Sequence, residues 1–384
     1  MALPYACCQL GNRTNNHTPL SLGIKTNKTK MKFTINSNEL AKMLVSASRV
    51  INTRNTLPIL DNFLIKAKDG ISVTASDLEN TLIVSGYAEV PGVGETCLPA
   101  RVLTELVRGI DDKPLTFDID KQAQITWEGG SFTLPVFDVG DYPINVNEAD
   151  SRITLSGEVL IDALAKTFYA AGDNPLRPVM NGIFLDLENG HFVATDAHKL
   201  VMYGITPVSG CSLIISKKTA HLLRNLLRPT PVDVEYNQKS VIFRFGGYVL
   251  ISRLVEGSFP NYKSVIPSNP HKLEINRTAF LSVIKRVGVC SSDANLVRLK
   301  ITSDRVLVSA QDVEYGISAQ EEISCEYLGE DMEIGFKGAL LSDVLSNLDS
   351  DRVQVALQSK DKPAIFTPIS EQDVLALLMP MMIK

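Results

Sequence analysis

The feature that most constrains this chain is self-similarity with a spacing of 120 residues. A short alternating segment ending in a polar residue, followed by an amphipathic stretch, occurs at Phe33-Thr34-Ile35-Asn36. It recurs at Ile153-Thr154-Leu155-Ser156 and at Leu273-Glu274-Ile275-Asn276. Alternation puts the apolar side chains on one face of a strand. An Asn or Ser ahead of a helix can accept from the first main-chain N–H groups, which have no partner inside the helix. A second set of anchors follows in the same order, Ala75-Ser76-Asp77, Ala194-Thr195-Asp196 and Ala310-Gln311-Asp312, each expected at a tight turn between two strands. A third set, Leu98-Pro99-Ala100, Ile215-Ser216-Lys217 and Gly335-Phe336-Lys337, marks a strand running into a second helix. Paired alternating strands then close the unit, as in Leu115 to Ile119 with Gln124 to Trp127.

Three sets of anchors in one order predict three copies of an α+β unit, each with two helices and about eight strands. The bland alternative is one large α+β domain with coincidental spacing. The pattern breaks in the polar stretch from Asn145 to Arg152 and in the proline-interrupted Ile266 to His271, which sets units at 31–150, 151–271 and 272–384. At 384 residues the chain is long enough for each unit to bury its own core.

Residues 1–30 are rich in Asn and Thr and lack apolar periodicity, so they are expected to stay outside the folded body, as a disordered extension or an artefact of the start site. Met31 opens directly onto a strand-like segment. No secretory signal is evident, and no apolar run approaches the roughly 20 residues that span a bilayer. A cytoplasmic protein without membrane contact is expected. Six cysteines, scattered without metal-ligand spacing, read as free thiols, and no cofactor or metal is expected.

The formal net charge is −5, which argues against a surface that is adhesive for nucleic acid everywhere but leaves room for a local basic face. The cations are not evenly spread. In the helix expected over Lys217 to Arg228, Lys217, His221, Arg224 and Arg228 form one stripe and Leu222, Leu223, Leu226 and Leu227 the other. Arg101 and Arg108 share a stripe facing away from Val102, Leu103, Leu106 and Val107; Lys285 and Arg286 face away from Phe280, Val283, Ile284 and Val287. The helical segments sum to a positive charge, and the strands and loops to a negative one. Such segregation suits a surface that meets phosphate without reading sequence. No zinc-finger spacing or stacking motif supports base readout.

Seven motifs carry a family resemblance: Thr56-Leu57-Pro58-Ile59-Leu60, Leu98-Pro99-Ala100-Arg101, Asn181-Gly182, Ala194-Thr195-Asp196-Ala197-His198-Lys199-Leu200, Gly257-Ser258-Phe259-Pro260-Asn261-Tyr262, Met332-Glu333-Ile334-Gly335-Phe336 and Leu378-Met379-Pro380-Met381. In this order, from Met31 to the end, they resemble the bacterial sliding clamps, the beta subunit of the replicative polymerase. The resemblance implies three similar clamp domains, each with two helices on antiparallel sheets, forming half of a closed ring. Two chains would join head to tail as a homodimer around double-stranded DNA.

By similarity the DNA-facing positions are Arg54, Arg101, Arg108, Asn174, Lys217 and Lys218, with Arg224 added by its helix phase. At the subunit junction Phe132 and Leu134 would meet Val289 and Cys290. An apolar groove for short peptide motifs of the replicative polymerase, clamp loader and repair proteins would be lined by Met180, Thr195, His198, Leu200, Pro260, Val265, Leu377, Met379, Pro380 and Met381. A Met-rich lining can repack around different peptides. Where the familiar ending has an Arg after the second Met, this chain has Met382.

The strongest case for an enzyme is Asp196 beside His198. The first repeat holds Asp77 and Glu79 at the same place and the third Asp312 and Glu314, so a repeated turn accounts for the Asp better than unique chemistry does. No phosphate loop, nucleophile elbow or metal cluster is present, and no catalysis is expected. The rival reading is a repeat-built peptide binder that does not encircle DNA.

Overall fold

The computed structural model describes residues 30–144, 149–210, 212–371 and 373–383. All but the last residue of the expected 1–30 extension, together with Cys7, Cys8, Cys211 and Lys384, lie outside these. Cys97, Cys290 and Cys325 are unbridged.

The first repeat folds as β1 (Met31–Asn36), α1 (Ser37–Ser48), β2 (Asn62–Ala67), β3 (Ile71–Ser76), β4 (Asn80–Gly86), β5 (Glu89–Gly92), β6 (Gly94–Pro99), α2 (Ala100–Arg108), β7 (Pro114–Ile119), β8 (Gln122–Trp127) and β9 (Gly130–Pro135). The second gives β10 (Ser151–Leu155), α3 (Gly157–Thr167), β11 (Gly182–Asp186), β12 (His191–Thr195), β13 (Lys199–Gly204), β14 (Leu213–Ser216), α4 (Lys217–Leu226), β15 (Val232–Tyr236), β16 (Ser240–Phe245) and β17 (Tyr248–Arg253). The third gives β18 (His271–Asn276), α5 (Arg277–Gly288), β19 (Leu296–Ile301), β20 (Arg305–Asp312), β21 (Ile317–Leu328), β22 (Met332–Lys337), α6 (Gly338–Ser346), β23 (Arg352–Leu357), β24 (Ala364–Pro368) and β25 (Val374–Leu378). Every strand pairing is antiparallel, and the α+β class holds.

Local chemistry explains why the repeats look alike. Asn36 accepts from the main-chain N–H of Asn38 and Glu39, and Asn276 from Ala279, which starts α1 and α5. Ser156 departs from the expectation, since its hydroxyl makes no capping bond. At the turns, Asp77 Oδ1 accepts from the N–H of Glu79 and Asn80, Asp196 Oδ1 from His198 and Lys199, and Asp312 Oδ1 from Glu314 and Tyr315. An Asp accepting from N–H groups two and three residues on mimics a main-chain turn, which is why each strand reverses there. After the last strand of each unit the chain turns back: Phe137, Val255 and Met381 donate their N–H to the carbonyls of Cys97, Ile214 and Gly335.

The units share sheets. Pairing of β17 with β4 joins the first two into an eight-stranded sheet, and pairing of β13 with β25 joins the last two into a twelve-stranded one. β9 ends a five-stranded sheet of the first unit, with no partner on its outer side among the described residues. Inside, the apolar faces meet, with Phe33 stacked on Phe117 at 4.4 Å. Fully buried Phe63, Phe192, Phe243, Phe280, Phe336 and Phe366 anchor the rest. Each such ring contributes about 2–3 kcal/mol of apolar burial.

Two details correct the sequence reading. Val102 and Leu106 on α2 are 45% and 38% exposed, while Leu103 and Val107 are buried. The helix is short, its own unit covers only one narrow face, and these two sit on its flank. Arg228 lies beyond α4, which ends at Leu226. Pro229 follows, and a residue ahead of proline is disfavoured in helical conformation.

Candidate DNA face and partner groove

Among the described residues the six α-helices pack in pairs within their units. α1 packs on α2, α3 on α4 and α5 on α6. Between units, Lys218 at the start of α4 reaches back to the Val50 carbonyl just beyond α1, and Lys166 near the end of α3 pairs with Asp349 just beyond α6 at 3.0 Å. The rule is the same at both joins: the end of a unit's first helix meets the second helix, or its end, in the next unit.

Of the expected DNA-facing residues, Arg101 and Arg108 lie on α2 and Lys217, Lys218 and Arg224 on α4, while Arg54 and Asn174 lie outside the helices. Arg101 and Arg108 line a cavity of about 1370 Å³ with Asn52 and Thr53, next to exposed Arg54. Lys217 pairs with Asp173 at 2.7 Å and donates to the Ala171 carbonyl. The neighbouring Asn174 accepts from Leu176 N–H on its side chain and from Asn181 on its carbonyl. Arg224 lies over the Phe168 ring at 4.7 Å, with Lys217 at 5.8 Å from the same ring. Arg54, Arg108 and Arg224 have no ion pair among the described residues. Lys218 is held differently. Its ammonium pairs with Asp77, whose side chain is 3% exposed, and also contacts the Val50 carbonyl. It binds the first unit to the second, a role that depends on residues more than a hundred positions away and had no sequence signal.

Of the residues expected to line the groove, Leu200, Leu377, His198 and Met379 meet where β13 pairs with β25. Leu200 lies opposite Leu377, and both are buried with Val193 and Tyr262 in one apolar cluster, against Phe184, Met202 and Phe259. Met379 donates its N–H to the His198 carbonyl, and Met381 is tied to Gly335, so the chain end runs along the rim. Met379 and Val265 are exposed. Thr195 Oγ1 donates to the Lys199 carbonyl inside the turn. Met180 joins the edge through its carbonyl, which accepts from Gly172 N–H.

Pro260 and Val265 flank Tyr262, and Tyr262 is fastened by a set of side chains the sequence did not suggest. Its hydroxyl donates to Asp186 Oδ2 at 2.7 Å and meets His191 Nδ1 at 2.9 Å. Because the Tyr262 proton goes to Asp186, His191 must donate from Nδ1. Burial, helped by the Lys263 charge and opposed by Asp186, lowers the His191 pKa and favours that neutral form. Burial works against ionisation of Asp186, but hydrogen bonds from Tyr262 and Asn189 outweigh it and hold this carboxyl below its ordinary value.

Asp196 and His198 do not form an acid–base pair. Asp196 Oδ1 is occupied by the turn, and Oδ2 takes the Lys199 ammonium at 2.9 Å. Burial opposes its charge, yet the bonds from Lys199 and His198 hold its pKa below the usual carboxylate value.

Comparison with known proteins bears on what this arrangement is. The DNA polymerase III beta subunit family matches as its N-terminal domain over residues 31–147, its central domain over 154–261 and its C-terminal domain over 263–382. The beta sliding clamp of Caulobacter vibrioides is 30% identical over 371 residues, covering 91% of this chain and 100% of that protein. The chain belongs to the DNA polymerase III beta subunit, or beta sliding clamp, family. A DnaN sliding clamp from Bartonella birtlesii, solved bound to griselimycin, superposes with a TM-score of 0.88 at 29% identity, over 92% of this chain and all of that one. The Caulobacter crescentus clamp gives 0.86 at 29% identity with the same coverage. The clamp fold of three similar domains is therefore established for this chain.

In this clamp chain the expected junction residues sit in different units, the first and the third. Phe132 and Leu134 are on β9, while Val289 and Cys290 follow α5, Val289 being 82% exposed. No contact within the chain brings the two sets together among the described residues.

Proposed function

We propose that this protein is a DNA sliding clamp: two copies joined head to tail in a closed ring around duplex DNA, holding the replicative polymerase and other partners for processive synthesis. The reading is carried by membership of the beta sliding clamp family and supported by the cations of α2 and α4, of which Arg108 and Arg224 have no ion pair among the described residues. Arg54, Arg101, Arg108, Asn174, Lys217, Lys218 and Arg224 are assigned to the DNA side. Neutralising phosphates there gives attraction without sequence preference, and an acidic remainder keeps the grip weak enough to slide. Closure into a ring also covers strand edges such as β9 that would otherwise invite aggregation.

The units act as clamp domains over 31–150, 151–271 and 272–384. The groove from Met180 to Met381 receives short peptide segments of the polymerase, clamp loader and repair proteins. The protein works as a tether in the cytoplasm, without catalysis or membrane contact. After clamp-loader-driven assembly on nicked circular DNA, the protein is expected to stay bound through gel filtration and to be lost when the circle is linearised. Equal retention on circular and linear DNA would remove the ring from this reading.

A further inference from the structure

The repeat places one cross-strand row of side chains on the outer face of each unit's hairpin sheet. Pairing of β2 with β3, β11 with β12 and β19 with β20 sets Leu64 beside Thr74, Phe184 beside Val193 and Arg298 beside Ser309. Each row continues into a third strand, at Ile83, Met202 and Gln320. In the first two units a later stretch of the same chain lies over the row. Tyr142 is buried with Leu64 and Cys97, and its hydroxyl donates to the Thr74 carbonyl. Phe259 stacks on Phe184 with ring centres 4.7 Å apart, and Tyr262 is buried with Val193.

The third row has no such cover among the described residues. Met381 donates its N–H to the Gly335 carbonyl, as Phe137 and Val255 do to Cys97 and Ile214, so all three units bring the chain to the edge of the row. Only the first two carry an aromatic side chain across it. The row has changed character in step, from largely apolar to cationic and hydrogen-bonding. Arg298 is half-buried, and its guanidinium has neither hydrogen bond nor ion pair among the described residues, although such a group ordinarily finds an acceptor. Ser309, Gln311, Ser318 and Gln320 surround it in a cleft of about 450 Å³. Across from Arg298 stand Ser309 on one side and Gly335 on the other, so no carboxylate faces it directly from a neighbouring strand. Lys300 and Lys337 share this face, with Glu333 the acid among them. β19 lies between β20 and β22, so the cleft opens from the face of the sheet and not from a strand edge.

We propose that this cleft on the outer face of the third unit binds an extended acidic peptide segment of a partner protein, one carboxylate of which is held by Arg298. A guanidinium presents parallel N–H donors that meet a carboxylate with two hydrogen bonds, and the hydroxyl and amide groups of Ser309, Gln311, Ser318 and Gln320 add bonds without a competing charge. Arg298 is the cation lining the cleft, which matches a singly charged carboxylate better than a phosphate. The extended pose follows from the second unit, where the stretch that crosses the row runs without helix or strand from Val255 to Asn261. The cleft is built by β19, β20 and β21 and shares no residue with the groove between the second and third units.

Fluorescence anisotropy on the full chain tests it, with a labelled octapeptide of alternating Glu and Ser, blocked at both ends, as the probe. In an extended peptide this alternation puts the carboxylates on one face. The wild type is expected to bind the probe, and to bind the same octapeptide with Gln in place of Glu about tenfold more weakly. Arg298→Ala is expected to weaken binding of the Glu probe by about tenfold as well. Ser309→Glu places a carboxylate across from Arg298 and is expected to exclude the probe. Both substitutions lie on the outer face of the sheet and are expected to leave far-UV circular dichroism unchanged. A probe that does not bind the wild type, or that binds the Arg298→Ala variant as tightly as the wild type, overturns the proposal. N-acetylglutamate amide competing as well as the octapeptide, mole for mole, overturns the extended segment as the occupant.

Discussion

Asp77, Asp196 and Asp312 illustrate how one residue type at one repeated position serves folding first and assembly second. Each shapes its own turn through Oδ1, and in the two internal joins the other oxygen holds a lysine. Asp186 and Tyr262 do comparable work beside the groove. Tyr262→Phe removes only the hydroxyl that links Asp186 and His191. It is expected to cost about 1–2 kcal/mol in urea denaturation and to weaken peptide binding at the groove while leaving the dimer intact. Unchanged peptide affinity would separate Tyr262 from the groove.

Asp186 and Asp196 are among the carboxyls held below their ordinary pKa, and they contribute to a pH response. A carboxyl whose folded pKa lies below its unfolded value of about 3.9 stabilises the fold at higher pH and loses that contribution as pH falls through the folded value. Stability should fall below about pH 6.5, where the unfolded chain protonates His191 more readily than the fold does, and again below about pH 4, where Asp186 and Asp196 take up protons. Urea titrations from about pH 3 to 8 check this, and Asp196→Asn should make the decline below about pH 4 shallower. An equally steep decline in that variant would show that Asp196 is not among the groups responsible.

At the level of elements, β25 has two tasks. It completes the core of the third unit through Val374, Ala376 and Leu378, and it carries the chain end across to the second unit, where Met379 bonds to His198. Removing residues 379–384 spares the buried strand but deletes the rim. Peptide binding is expected to be abolished while sedimentation still reports a dimer, since that end is tied to His198 and Gly335 and not to β9. A truncated chain that still binds peptide at wild-type affinity would place the groove elsewhere. α2 shows the opposite limit of an element. Its nine residues carry apolar positions on two faces, and only one of these is covered by its own unit.

For the whole molecule, the joins are where prediction from sequence ran short. The three-unit organisation, the capped starts of α1 and α5 and the Asp turns were legible because each depends on residues a few positions apart. The meeting of Leu200 with Leu377 had no local signal, since it arises by pairing of β13 with β25. Val102 was taken as core, as if its own unit covered that flank of α2, and the ion pair of Lys218 with Asp77 had no signal in the sequence. Lys218 meets Asp77 across 141 positions, and Tyr262 meets Asp186 across 76.

The sequence by itself determined the repeat, the Asp turns, the caps of α1 and α5 and most of the apolar faces, because these follow from short-range spacing and side-chain type. Tertiary structure alone decided which charges are occupied and which stay available, since an ion pair such as Lys218 with Asp77 exists only once two units have docked and brought distant side chains within a few ångströms of each other.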